Sequence, residues 1–524
     1  MTSFYGKYHE KGIISDEEEN SVSRTNVDKW IFRLLLVLIG FMPIVILAHT
    51  EEVISPLISD ISVLTSGTKG DLFTHYKSLI VLIITIITGI LLLAKIFFMN
   101  GKIRKTKVNY ILGIFVCAIV FSTILSPNIT IALNGQYNRS DGAISWLCYI
   151  VLMFIAMNIN YPKKVINYVM YSLIPFVIVN LFIITNNFYG NDMLKNKIVQ
   201  DVISIFLVDG TNLSEGSQLV GTLNQWNYMS GMFGIITAMF LVWAMLERKW
   251  ITSIISIIVT FASVSVLFMS VSRGGFVTLL LIMLLLLFSI LRMENKLKAI
   301  VVYSLFLLIA APIFHILAKE NPEVWNESFG LFIDSNPYME EELDGNENVS
   351  FTYEYNLINK VYASENSFEL PILPEREYAP GSGRFYIWEK TYDLLKERPF
   401  FGYGLDTLMY NFPHYNIDAR SGLNTEHTIT DKPHNLFVGI LYGTGIVGFG
   451  VFLLIIVTLA LLSFKALLIE KCQNNSVLGV AIIAYLLQAM VNDSLPSTSA
   501  VIFVFMGIMI SLATKTIERE GVND

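Results

Sequence analysis

The sequence predicts an all-α polytopic membrane protein, with about twelve transmembrane helices and one large polar loop that contains short amphipathic helices. Three observations predict it. Apolar residues make up 54% of the 524, and mean hydropathy is +0.57, far too hydrophobic for a water-soluble chain. Apolar windows of about 20 residues recur, each long enough to cross a hydrocarbon core of about 30 Å. Lysine and arginine gather in alternate short loops, as the positive-inside tendency requires. The net charge of -7, with no basic cluster outside those loops, excludes a nucleic-acid partner.

Residues 1–29 form a polar tail carrying Asp16-Glu17-Glu18-Glu19, without the basic-apolar-small pattern of a cleaved signal peptide. The first group of spans, within 30–318, is expected at about 30–49, 78–98, 108–126, 144–160, 166–186, 227–246, 251–272, 274–291 and 299–318. A large loop, 319–434, follows. Asn435 then starts a re-entrant helix, and the last spans of the 435–516 segment are expected at about 446–464, 476–491 and 500–516. Residues 517–524 form a short C-terminal tail. Lys102, Arg104, Lys105 and Lys107, then Lys163-Lys164, Arg248-Lys249, Arg292 with Lys296 and Lys298, and Lys465 with Lys471 all fall on one side if the N-terminus is cytoplasmic. Of the three cysteines, Cys117 and Cys148 lie in apolar spans and Cys472 in a loop, so neither a disulfide framework nor a metal site is implied.

The large loop carries more than twice as many Asp and Glu as Lys and Arg, including Glu340-Glu341-Glu342. Such a run is usually a solvated face, and the alternating ligands of an EF-hand are absent. Gly345-Asn346-Glu347-Asn348 reads as a turn. From Gly383 the character changes. Phe385, Trp388, Tyr392 and Leu395 recur at helical spacing, so 384–397 is expected as an amphipathic helix lying aromatic side down on the membrane, capped by Ser382 and ended by Pro399. Gly402-Tyr403-Gly404 lacks the third glycine of a dinucleotide loop and reads as a turn.

Charged and amide side chains at membrane boundaries are the candidates for chemistry. Ser272-Arg273-Gly274-Gly275 interrupts an apolar run and stands on the side where arginine is disfavoured. Arg273 could reach lipid headgroups alone, but together with Arg384 it points to a shared anionic ligand, because guanidinium forks grip phosphate oxygens in pairs. Asn224 and Asn227, in Gly221-Thr-Leu-Asn-Gln-Trp-Asn, suit sugar hydroxyls or helix capping. Asn492-Asp493 is placed to orient a histidine or a sugar, or to form a turn. Among seven histidines, His434 stands out, because Pro433 fixes the chain before it and Asn435 opens a helix into the membrane. Imidazole is the side chain best suited to take a proton near neutrality.

These motifs have an order: Gly221 through Asn227, Ser272 through Gly275, Gly383-Arg384-x-x-x-Trp388, Pro399-x-x-Gly402-x-Gly404, and His434-Asn435 followed by Gly443-x-Gly445-Ile446-x-Gly448. Together, over residues 220–465, they resemble the O-antigen ligase and polymerase family of bacterial envelope proteins. The resemblance implies a GT-C-like, metal-independent glycosyltransferase that uses no cofactor. Its donor would be an undecaprenyl-diphosphate-linked glycan and its acceptor a glycan or lipid. It would lie among the lipids of the bacterial cytoplasmic membrane, with its site on the extracytoplasmic face. By it, Arg273 and Arg384 would bind the diphosphate and His434 would act on, or position, the acceptor hydroxyl. Asn224, Asn227, Trp388, Asn435 and Asp493 would position sugar or acceptor. The acidic first half of the large loop has no counterpart in the family pattern.

A polymerase of lipid-linked repeat units is the leading expectation. A ligase shares every motif. A transporter or flippase, the alternative of a different class, would show related halves and midplane polar residues on broken helices; no internal repeat is visible, and the polar residues gather at one surface.

Overall fold

The computed structural model describes residues 16–54, 66–207, 220–223, 225–333, 335–339, 374–423, 428–469 and 473–520. Asn224, Cys472, Lys471, Glu340 to Glu342 and the turn at Gly345–Asn348 lie outside the described residues. The chain begins with α1 (Asp16–Gly40), a hairpin of β1 (His49–Val53) and β2 (Gly67–Asp71), α2 (His75–Phe98) and α3 (Lys107–Ile124). Next come a short α4 (Ile129–Asn134), α5 (Ala143–Met157), α6 (Val165–Phe188) and a short α7 (Lys197–Ile203). Four long helices follow: α8 (Trp226–Leu246), α9 (Trp250–Met269), α10 (Arg273–Ile290) and α11 (Lys296–Glu320). The polar interval contains α12 (Glu323–Asn326), α13 (Arg384–Glu397) and α14 (Leu408–Asn411); α15 (Leu436–Leu468), α16 (Gln473–Ala489) and α17 (Pro496–Glu520) close the chain.

Nine of the described helices are long and apolar enough to cross a membrane. α5 and α16 are apolar but shorter, and α1 is apolar only from Trp30 onward, after its acidic first turn. The first apolar segment also ends earlier than the expected 30–49. Helix α1 stops at Gly40, and Pro43 opens a single 3-10 turn.

Burial ranks the helices. In α8 the apolar window is 94% buried, whereas in α2, α3 and α11 it is 33%. The outer helices therefore turn rows such as Ile83, Ile86, Ile90 and Leu93 outward, where lipid would meet them. Helix α8 is the axis because its small residues admit close neighbours. Gly231 leaves room for the Gln488 side chain of α16, and a Cβ on Gly275 of α10 would collide with Ser230.

The two ends of the bundle differ in chemistry. At one, Arg104 donates to Ile159 O and Ser511 O, Lys298 to Glu247 O, and Lys95 to Asp28 at 2.6 Å. The other end carries the β-hairpin, the 135–142 loop, the α9–α10 turn and the polar interval. The hairpin, not foreseen in the sequence, pairs His49 with Asp71 and Glu51 with Lys69. Asp71 then caps α2, accepting from Thr74 N at 2.9 Å and His75 N at 2.6 Å.

Helix α15 breaks at Gly445, where φ is 64°. A break inside an apolar helix frees backbone groups that lipid cannot satisfy. The segment after α13 satisfies them. Tyr403 N and Gly404 N donate to Tyr442 O and Gly443 O at 3.0 and 2.9 Å, and Ile446 N donates to Pro399 O at 2.8 Å. Gly402-Tyr403-Gly404 is thus half of a joint with Gly443 and Gly445 rather than a free turn. Both Gly402 and Gly445 have positive φ, and a Cβ on either would overlap the opposite backbone. Gly402→Ala is expected to lose at least about 1–2 kcal/mol for the left-handed residue alone. Lower recovery of monodisperse protein in detergent gel filtration and a lower melting temperature would show it; wild-type melting would refute the joint.

Candidate active site at the loop end

Helix α13 starts at Arg384 because Gly383, at φ 79°, turns the chain into it, and it ends at Glu397, two residues before Pro399. Ser382 does not cap it: its own φ is 58°, and no side-chain cap bond forms. The helix does not simply lay its aromatic stripe on one surface either. Tyr386 and Ile387 pack into a small core with Leu408, Phe412 and Tyr442, and Leu395 is buried too, while Phe385 and Tyr392 stay exposed. Between these faces, Trp388 donates from Nε1 to Pro433 O at 2.7 Å. Arg384 lies four residues before Trp388, one turn along the same face, so this bond ties the helix face that carries Arg384 to the residue before His434. Among the described residues the Arg384 side chain makes no hydrogen bond or ion pair. Burial presses its guanidinium below the usual range, against the opposing pull of Asp493 and of the Tyr378 and Tyr228 hydroxyls.

His434 sits at φ 52°, a left-handed position that a histidine adopts only when its surroundings hold it there. Two groups hold it. Its Nδ1 lies 3.2 Å from Asp493 Oδ2, and Asp493 Oδ1 accepts from Asn435 N at 3.2 Å. Burial pushes the Asp493 carboxyl up, but the His434 hydrogen bond and the charges of His434, Lys432 and Arg139 outweigh it and bring the group down to about 2. A carboxylate that stays ionised accepts the Nδ1 proton, and that tautomer leaves the Nε2 lone pair free. The imidazole is 38% exposed, so Nε2 can be reached.

The other sequence-selected residues divide differently. Arg273 has a protein partner: Glu327 holds it bidentately, with Nε and Nη2 each 2.8 Å from a carboxylate oxygen. Its helix start is nonetheless close to the dyad, since Gly274 abuts Val491, two residues before Asp493. Asn227 is a structural clasp. Its Oδ1 accepts from Ser272 Oγ at 2.9 Å, and its backbone oxygen accepts from Asn492 Nδ2 at 3.1 Å. Asn435 caps α15 with Oδ1 on Phe437 N and Val438 N, and its Nδ2 donates to Met490 O at 2.9 Å. That commits its amide oxygen to the helix start and one of its two amide protons to α16.

Sequence reading missed the ionic network beneath the dyad. Lys432 Nζ lies 3.4 Å from Asp141 Oδ2 and 3.5 Å from Asp406 Oδ1, and all three side chains are buried. Arg139 pairs with Asp431, Gln136 N donates to Asp406 Oδ2 at 2.8 Å, and Ser494 and Tyr149 donate to Asp141. A cavity of about 40 Å³ touches Asp141, Asp406, Asp431, Lys432 and Asp493. One sequence signal was available: Arg139 and Asp141 are ionisable residues directly before an apolar span.

Burial raises the Asp141 carboxyl to about 6, although Lys432 pulls it down. A folded-state value above the unfolded one adds stability that is complete below the unfolded pKa of 3.8 and is lost as pH rises through about 6. Melting temperature in detergent is therefore expected to fall between about pH 4 and pH 6, and Asp141→Asn to flatten that fall. An unchanged slope in the variant would contradict the assignment.

A mostly helical chain with nine described helices long and apolar enough to cross a membrane, and a carboxylate-held imidazole in the polar interval before α15, is consistent with a polytopic membrane protein. Residues 258–453 match the family model described as O-Antigen ligase (Wzy_C), a stretch that runs from α9 into α15 and includes Arg273, Arg384 and His434. The resemblance drawn from the motifs is thus matched by a family model over that stretch, and residues 258–453 are similar to the O-antigen ligase family. Asn227 and Asp493 lie outside the matched stretch. No curated protein matches the chain.

Proposed function

We propose that this protein is a GT-C-like polymerase of undecaprenyl-diphosphate-linked repeat units, working at the extracytoplasmic face of the bacterial cytoplasmic membrane. In this reading α1, α5 and α16 complete twelve crossings, and the basic end faces the cytoplasm. The observation that supports it is the Trp388–Pro433 bond, which ties the helix that begins at Arg384, an arginine unpaired among the described residues, to the residue before the carboxylate-held His434.

The chemistry follows from those two groups. The acceptor hydroxyl attacks the anomeric carbon of the donor as its bond to the diphosphate oxygen breaks, with inversion. The hydroxyl proton passes to His434 Nε2. The electron pair leaves with the diphosphate, whose growing charge Arg384 neutralises. Diphosphate is already a good leaving group, so alignment and charge neutralisation are what the protein must supply. Arg273, held by Glu327, would join only if the donor displaces that carboxylate. Asp493→Asn, which replaces the acceptor of the Nδ1 proton, is expected to lower the transfer rate by roughly 10²–10⁴, and an unaltered rate would remove the dyad from the mechanism.

The acidic 319–434 interval, and a sequence without a recognisable lipid A-core site, favour polymerisation over ligation. Glycan ladders from a deletion strain test this. Loss of a polymerase leaves single repeats on their carriers, whereas loss of a ligase leaves long lipid-linked chains.

A further inference from the structure

The 135–142 loop has two faces. One closes the small cavity beside Asp493. The other walls a separate chamber of about 330 Å³, roofed by β1 and lined by His49, Glu51, His75, Gln136, Tyr137 and Ser140. That volume lies within the range of small-molecule sites, about 300–1,000 Å³.

Its chemistry is selective. Gln136 is 3% exposed, and its Nε2 is held by Asp406 O and Asp431 O at 3.4 Å each, while its Oε1 has no partner among the described residues. A buried acceptor in that state calls for a donor. Exposed Glu51 offers a carboxylate, a second acceptor. The His49 and His75 rings stack with centroids 3.5 Å apart, presenting a flat polar wall. Among the described residues no lysine or arginine lines the chamber, which does not favour a phosphate. It suits a neutral molecule rich in hydroxyl donors.

Its position gives that molecule a role. Gln136, which lines the chamber, also bonds through its amide nitrogen to Asp431 O, three residues before His434, and Arg139 ties the loop to Asp431 a second time. We propose that the chamber is a glycan subsite that binds a neutral sugar of the acceptor chain, next to the sugar whose hydroxyl reacts. The assignment of acceptor, as opposed to donor, glycan rests on the transfer reaction proposed above.

The test uses full-length protein in nanodiscs and, as probe, phosphate-free oligosaccharide released by mild acid from the host's own lipid-linked glycan. Saturation-transfer NMR and titration calorimetry read the binding. Glu51→Ala, on an exposed strand, and Gln136→Met are each expected to weaken it tenfold or more. Arg384→Ala is expected to bind as wild type, and inorganic diphosphate not to compete. In transfer assays Glu51→Ala is expected to raise the acceptor KM while kcat holds. Absence of binding to the wild-type protein, wild-type binding in both chamber variants, or displacement by diphosphate would overturn the subsite. Failure of the transfer reading has a different signature: full transfer by Arg384 and His434 variants, with chamber binding intact.

Discussion

Replacing His434 by glutamine is expected to lower glycan transfer by roughly 10²–10⁴, with little loss of folded protein. The reason is the division of labour within the ring. Nδ1 serves Asp493, and Nε2 is left to take the acceptor proton. A glutamine amide can still donate to Asp493 but cannot serve as a base. Alanine is a harsher change, because it strands the Asp493 carboxylate, only 5% exposed, without its main partner. Comparing the two separates catalysis from folding. Purified protein, a lipid-linked donor and single-turnover assays would measure it; a glutamine variant that transfers at the wild-type rate would end the assignment.

Arg384→Ala is expected to cost roughly 10²–10³ in kcat, the scale of removing one preorganised donor from a developing anion. Lysine should restore only part of it, since an ammonium lacks the planar fork. A second readout does not depend on turnover. A half-buried cation without a partner among the described residues would gain one when diphosphate arrives, so undecaprenyl diphosphate should raise the wild-type melting temperature. The alanine variant should show no such rise. Equal ligand-induced stabilisation in both proteins would place the diphosphate elsewhere, with the Arg273–Glu327 pair as the next place to look.

The local signals in the sequence translated well into helices. Apolar windows marked α2, α3, α6 and α8 to α11 to within a few residues. Pro399 marked the end of α13, because proline removes a donor and restricts the residue before it. The amphipathic period found α13 but not which side packs. Its aromatic residues occupy both a buried and an exposed face, and only the neighbouring 408–412 segment and Tyr442 decide between them. The glycine motifs were visible as motifs, but their pairing was not, since Gly402 and Gly445 become one joint only when α15 breaks beside them.

By itself the sequence located the apolar helices, the loops that carry lysine and arginine, and the polar interval that holds Arg384 and His434. Those properties follow from solvent and from local spacing, and both act within a few residues. The tertiary structure alone decided which polar groups meet. It gave Arg273 to Glu327, His434 to Asp493, and Lys432 to an aspartate 291 residues earlier. Such pairs leave no periodic trace along a chain, because their formation depends on how separate helices pack, and in lipid that packing is set by small-residue contacts and buried polar bonds.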